Sequence, residues 1–207
     1  GGTTVTLGAV VDAALEYNVD KHEWRNLLRA SFGATRTPTI DEFVKTNDGL
    51  LIESVYLLHL LDGFGPFVRF ALNTQMFGAV DIRSEAVDYR VADAAGGTSN
   101  YRGRRLALSD PFQPLELKQS VGAFYQPVQL QRISIESRAG IGAQQIFADG
   151  ALALKDDPDS AAIEVTTLGD NLLVGTEAVL NGWGTLDEAK RISYAVGASV
   201  LVPFATS

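Results

Sequence analysis

The sequence predicts an all-β chain, an antiparallel transmembrane β-barrel, and three observations carry that expectation. Apolar residues recur with period two over about ten or more positions at a time, long enough to cross a bilayer as tilted strands. The apolar side of each well-patterned stretch holds no Asp, Glu, Lys or Arg, which suits lipid, where a midplane charge costs roughly 2–4 kcal/mol. Tyr17, Trp24, Tyr56, Tyr125, Trp183 and Tyr194 gather toward stretch ends, where interfacial girdles sit.

The elements follow in order. From Thr4 to Tyr17, the residues Val5, Leu7, Ala9, Val11, Ala13, Leu15 and Tyr17 share one face, opposed mostly by polar or small residues. Trp24, Leu28, Ala30 and Phe32 oppose Glu23, Arg25, Arg29 and Ser31. Leu50 to Leu61 is ragged, because Glu53 and His59 fall on the side of Leu51, Val55 and Leu57. Val68, Phe70, Leu72 and Met76 oppose Arg69, Asn73 and Gln75, and Leu115, Leu117, Val121, Ala123 and Tyr125 oppose Glu116, Lys118, Ser120 and Gly122. Ile133, Ile135, Ala139 and Ile141 oppose Arg132, Glu136, Arg138 and Gly142. Two final stretches place Leu172, Val174, Ala178 and Leu180, then Ile192, Tyr194, Val196, Ala198, Val200 and Val202, on apolar faces. About eight strands result on this template.

Turn residues predict short links near Asp20, at Asp62-Gly63-Phe64-Gly65, at Gln126-Pro127 and at Asn181-Gly182, and Asn100-Tyr101 also reads as a turn. Longer links are expected near Pro38, between Gly78 and Pro114, and between Ile146 and Ala161. Short turns on one side and long loops on the other is the outer-membrane arrangement. A single barrel domain over residues 1–207 is expected to lack a terminal strand at each end, giving about ten strands by the even-number rule.

Composition excludes several classes. Among 207 residues, 46% hydrophobic with mean hydropathy +0.07, no apolar run reaches the eighteen or so residues of a spanning helix. A formal charge of -8 argues against a nucleic-acid surface. The absence of cysteine removes disulfides and thiolate metal sites, and it suits passage through an oxidising periplasm. The first residues carry no signal-peptide pattern.

The polar faces predict the lumen. Its charge cluster comprises Glu23, Arg25, Arg29, Arg69, Glu116 and Lys118, together with Arg132, Glu136 and Arg138. In so narrow a barrel, paired charges and small residues fill the interior. Lipid-facing aromatics are Tyr17, Trp24, Phe32, Phe70, Tyr125 and Tyr194.

Gly1-Gly2 before a long strand, Lys21-x-x-Trp24-x-Asn26-x-Leu28, Phe43-x-Lys45-Thr46-x-Asp48 and Thr74-Gln75-x-Phe77-Gly78 resemble an uncharacterised family of outer-membrane barrel proteins, a domain of unknown function. The resemblance is strong over the first half and one of style from Leu115 to Phe204. It implies a Gram-negative outer-membrane location and a barrel, with a tryptophan and an earlier strand before the Gly-Gly pair, and it implies no activity. Asn47, where an acidic residue is common in the family, and Met76 depart from the pattern without disturbing the barrel.

Candidate sites are few. His22 reads as a solvated turn residue, and His59 lacks a Ser and a carboxylate at triad spacing, so no catalytic residue and no enzyme activity is expected. Asp156-Asp157-Pro158-Asp159 lacks the spacing of a calcium loop, and no metal or cofactor is expected. Arg102-Gly103-Arg104-Arg105 stands in the longest predicted loop, where it could meet phosphates or a partner. Gly140-Ile141-Gly142 opens no helix and reads as room for curvature or a crossing side chain. The expected function is a structural or partner-binding component of the outer membrane, touching its lipid and other envelope proteins. The alternatives are a small-solute pore with an arginine-rich lumen, an enzyme on a barrel rim, and a soluble lipid-binding barrel with its apolar face inside.

Overall fold

The computed structural model describes residues 2–93, 96–130, 132–155, 160–187, 189 and 191–204. Among them every regular element is a strand: β1 (Val5–Val19), β2 (His22–Thr37), β3 (Ile40–Leu58), β4 (Phe64–Thr74), β5 (Ala79–Ala92), β6 (Thr98–Ser109), β7 (Leu115–Gln129), β8 (Ser134–Phe147), β9 (Leu152–Leu154), β10 (Ile163–Thr167), β11 (Asn171–Thr185) and β12 (Ser193–Pro203). Eight of these form one antiparallel sheet in the order β1-β2-β3-β4-β7-β8-β11-β12. The other four form a second sheet, β6-β5-β10-β9.

Alternation in the sequence becomes two unlike faces of the large sheet. Directly opposed residues share a face, so the register carries one apolar row across all eight strands: Tyr17 to Trp24, Tyr56, Val68, Val121, Ile141, Thr176 and Val202. The row begins near the end of β1 and finishes at the opposite end of β12. The strands are therefore staggered, as in a sheet whose strands tilt around a common axis.

The sheet also curls. Arg25 on β2 bonds Glu136 on β8, although four strand spacings of about 4.8 Å would separate those strands in a flat sheet. The charged side is concave and the apolar side convex. Gly122 and Gly140 allow close approach where β7 and β8 bend, since a Cβ on Gly140 would lie 2.1 Å from the Val121 carbonyl oxygen. β1 and β12 are the two free edges of the sheet, and every residue of β1 is exposed.

Several sequence expectations are corrected. The expected long link from Gly78 to Pro114 contains β5 and β6, and that from Ile146 to Ala161 contains β9, with β10 just beyond it. Asn100-Tyr101 and the arginines from Arg102 to Arg105 therefore lie on a strand, not in a turn and a loop. The link near Pro38 is a two-residue turn between β2 and β3. Gln126-Pro127 lies inside β7 at a bulge, where a proline is tolerated, and Asn181-Gly182 lies inside β11. The ragged stretch is the end of β3, the longest strand. Asp156-Asp157-Pro158-Asp159 falls outside the described residues.

The small sheet has its own core of Tyr89, Ile163 and Val165, flanked by Val87, Val91, Leu106 and Leu152. Burial, together with a hydrogen bond donated to Asp81, pushes the Tyr89 hydroxyl up to about 12. A raised phenol contributes stability below its ordinary value of 10.0 and loses that contribution as pH rises toward its folded value. Amide exchange across β5 and β6 is accordingly expected to accelerate between pH 10 and 12, and Tyr89→Phe should abolish that pH step. An unchanged step in the variant would assign it to another group.

Candidate functional site

The concave face is the candidate site, and its charges arrive from strands far apart in sequence. Glu136 on β8 has no exposed surface; its Oε2 accepts from Arg25 Nη1 at 2.8 Å and from Gln126 Nε2 at 2.9 Å. Arg25 also donates to Glu23, whose second oxygen lies 2.7 Å from His59 Nε2. Arg138, buried beside this group, stands 3.3 Å from Glu136 Oε1 without hydrogen-bonding alignment and lies over the Phe67 ring. A buried charge is tolerated only when paired, and this group pairs across the sheet.

A second group lies farther from the short turns. Arg69 on β4 donates twice to Glu53 on β3 and, at 2.8 Å, to Glu177 on β11. Gly142 leaves room for this crossing, because a Cβ there would sit 3.1 Å from that of Glu177. Beyond it Lys118 meets Glu116 at 3.1 Å, and Asn73 donates to the same carboxylate. A cavity of about 180 Å³ opens among Arg69, Lys118, Gln144, Glu177 and Ser199.

Seven of the nine predicted lumen charges thus fall into two cross-sheet groups or their immediate extension: Glu23, Arg25, Glu136 and Arg138 in the first, Arg69 in the second, and the Glu116 and Lys118 pair above it. Arg29 instead pairs with Asp12 in an exposed contact near the β1 edge. Arg132 lies in the exposed turn after β7, where its carbonyl accepts from the Tyr194 hydroxyl. Sequence reasoning left Glu53, His59 and Gln126 out of the cluster, while Glu177 has the parity of the charged face. Glu53 had a signal in its parity with Val55 and Leu57, which the apolar character of both faces there concealed.

On the convex face Tyr17, Trp24, Phe70 and Tyr125 are exposed, while Phe32 packs edge-on against Phe77. Trp183 departs from the girdle expectation, since it faces the concave side with Arg25 over its ring. The small-sheet arginines are engaged in part: Arg102 with Asp88, Arg105 with Glu42, and Arg104 with the Arg83 carbonyl.

A clasp joins the two sheets at the end of the apolar run. Asp48 accepts from the Met76 and Phe77 amides, each at 2.9 Å, and Lys45 Nζ donates to Asp48, Gln75 and the Phe77 carbonyl. Gln75 passes the connection on to Ser109 and the Gln113 carbonyl. The motifs around Lys45, Asp48, Gln75 and Phe77 therefore meet in space. Asp48→Ala would strand two amides and an ammonium group, and is expected to destabilise the junction by about 2 kcal/mol. Faster limited proteolysis at residues 75–78 and 109–114 is the readout; an unchanged rate would dismiss the clasp.

Among the described residues no group of His, Asp and Glu is arranged to hold a metal ion. The chemistry available to the concave face is that of ion pairing and hydration. No curated protein and no solved structure matches the chain. Residues 1–79, which span β1 to β4 and the clasp, match a family described as "Protein of unknown function (DUF3078)".

Proposed function

We propose that this chain forms most of the wall of a transmembrane β-barrel in the bacterial outer membrane, of about ten strands when complete, serving as a structural or partner-binding envelope component. The observation that carries the reading is the orientation of the faces. Val121, Ile141, Leu180 and Val200 are 54–56% exposed on the convex side, while Glu136 and Arg138 are buried on the concave side. A soluble lipid-binding barrel needs the reverse order.

Further support comes from the strand lengths, the stagger and the free edges. Unpaired backbone along β1 and β12 cannot remain open in hydrocarbon, so the wall is completed by backbone pairing along both edges. Because β1 and β12 run antiparallel to each other, an even number of further strands keeps the alternation. The ion pairs that cross the interior favour a filled lumen over an open pore. The small sheet, with Arg102 and Arg104 exposed, offers the surface for a partner outside the bilayer.

The test is extraction and electrophoresis of the full-length protein. It should require detergent, fractionate with outer membranes and migrate faster on a gel when unboiled. A protein that stays monomeric and folded in buffer without detergent would sink the reading.

A further inference from the structure

We infer that the lumen is a blind vestibule, open to small hydrophilic solutes at the end bearing the small sheet and sealed at the short-turn end by an apolar stopper. The inference rests on the membrane reading and goes beyond it by assigning a direction of access. Leu57, Phe67 and Phe124 are 0–2% exposed and form one cluster with Val55 on the concave face. They lie close to the turns that end β3, open β4 and end β7. His59 stacks edge-on against Phe124, and Trp183 adds a half-buried ring under Arg25 from the opposite wall.

The layers above the stopper become steadily more polar. The Arg25 and Glu136 group stands level with the stopper, since Glu23 is opposite Leu57 and Glu136 lies two residues from Arg138, which is opposite Phe124; the Arg69 group lies above it, and then the cavity beside Lys118, Gln144 and Ser199. Lys118 is 41% exposed in its side chain, whereas Glu136 is fully buried. Paired charges can hydrate and let water and ions by; a constriction of aromatic and aliphatic side chains excludes both by dewetting. The seal is therefore assigned to the stopper, and the Arg69 layer above it forms the floor of a compartment entered from the other side.

Planar-bilayer recording tests this on the full-length protein and on Phe67→Ala/Phe124→Ala, each first checked for heat-shifted migration after reconstitution. Wild type should be silent, the double variant should show discrete opening steps, and Lys118→Ala should be as silent as wild type. Conduction by wild type, or silence of an inserted double variant, overturns the inference. Where the double variant does not insert, single cysteines answer the question, because the chain has none of its own. A water-soluble maleimide should label Ser199→Cys faster than Leu57→Cys, the expectation for a dewetted stopper; equal rates overturn it. A protein that never enters the bilayer instead fails the membrane reading.

Discussion

Glu136→Ala is expected to destabilise the protein by about 3–5 kcal/mol, the usual cost of removing one partner from a buried ion pair. The carboxylate is fully buried, so solvent cannot replace it. Its loss leaves Arg138, 8% exposed, without its nearest counter-charge, and frees Arg25 from the far wall. The measurement is a denaturant titration in detergent, read by the gel shift of folded protein. Replacing Glu136 and Arg138 together by leucine should recover part of the loss, because the burden is the uncompensated charge and not the missing contact. A single variant as stable as wild type would show that the lumen is wet enough to solvate Arg138.

Val121→Arg should cost about 2–4 kcal/mol although the side chain is 55% exposed. The position is informative because the two environments predict different numbers. In water an exposed substitution of this kind stays within about 0.5 kcal/mol. In lipid the guanidinium sits between Val68 and Ile141 with no charged partner in its row. Unfolding in lipid vesicles measures the cost, and Val19→Arg, on the same face at the short-turn end, is the matched control. Equal stability of Val121→Arg and wild type in vesicles would put the convex face in water.

The sequence made the large sheet legible wherever its faces meet different solvents. β1 and β12 read plainly because small and polar residues on one side alternate with Leu7, Val11 and Leu15, or with Val196, Val200 and Val202, on the other. β3 did not, since Leu51, Val55 and Leu57 make its concave side as apolar as its convex one near the stopper. β5 was hidden by a register shift between Ile82 and Val87, which breaks period two at Ser84-Glu85-Ala86. Pro127 and Gly182 looked like turn residues and are accommodated inside strands. The site was legible in its residue types and not in its pairings: Arg25 and Glu136 lie 111 residues apart, and only the curl of the sheet joins them.

The order of strands has a consequence in time. Neighbours in the large sheet are consecutive in the chain except β4 with β7 and β8 with β11, so most pairing grows by adding a hairpin to an existing edge. β5 and β6 form their own hairpin as soon as both are made. β10, by contrast, pairs in parallel with β5, Ile163 against Tyr89, across the whole of β7 and β8. It cannot dock early, because the entropy of closing that loop has first to be reduced by laying β7 and β8 on the wall. Pulse-labelled exchange should find β9 and β10 protected only after β7 and β8. Completion of the small sheet then marks, during assembly, the moment at which β8 is in place and β11 can follow.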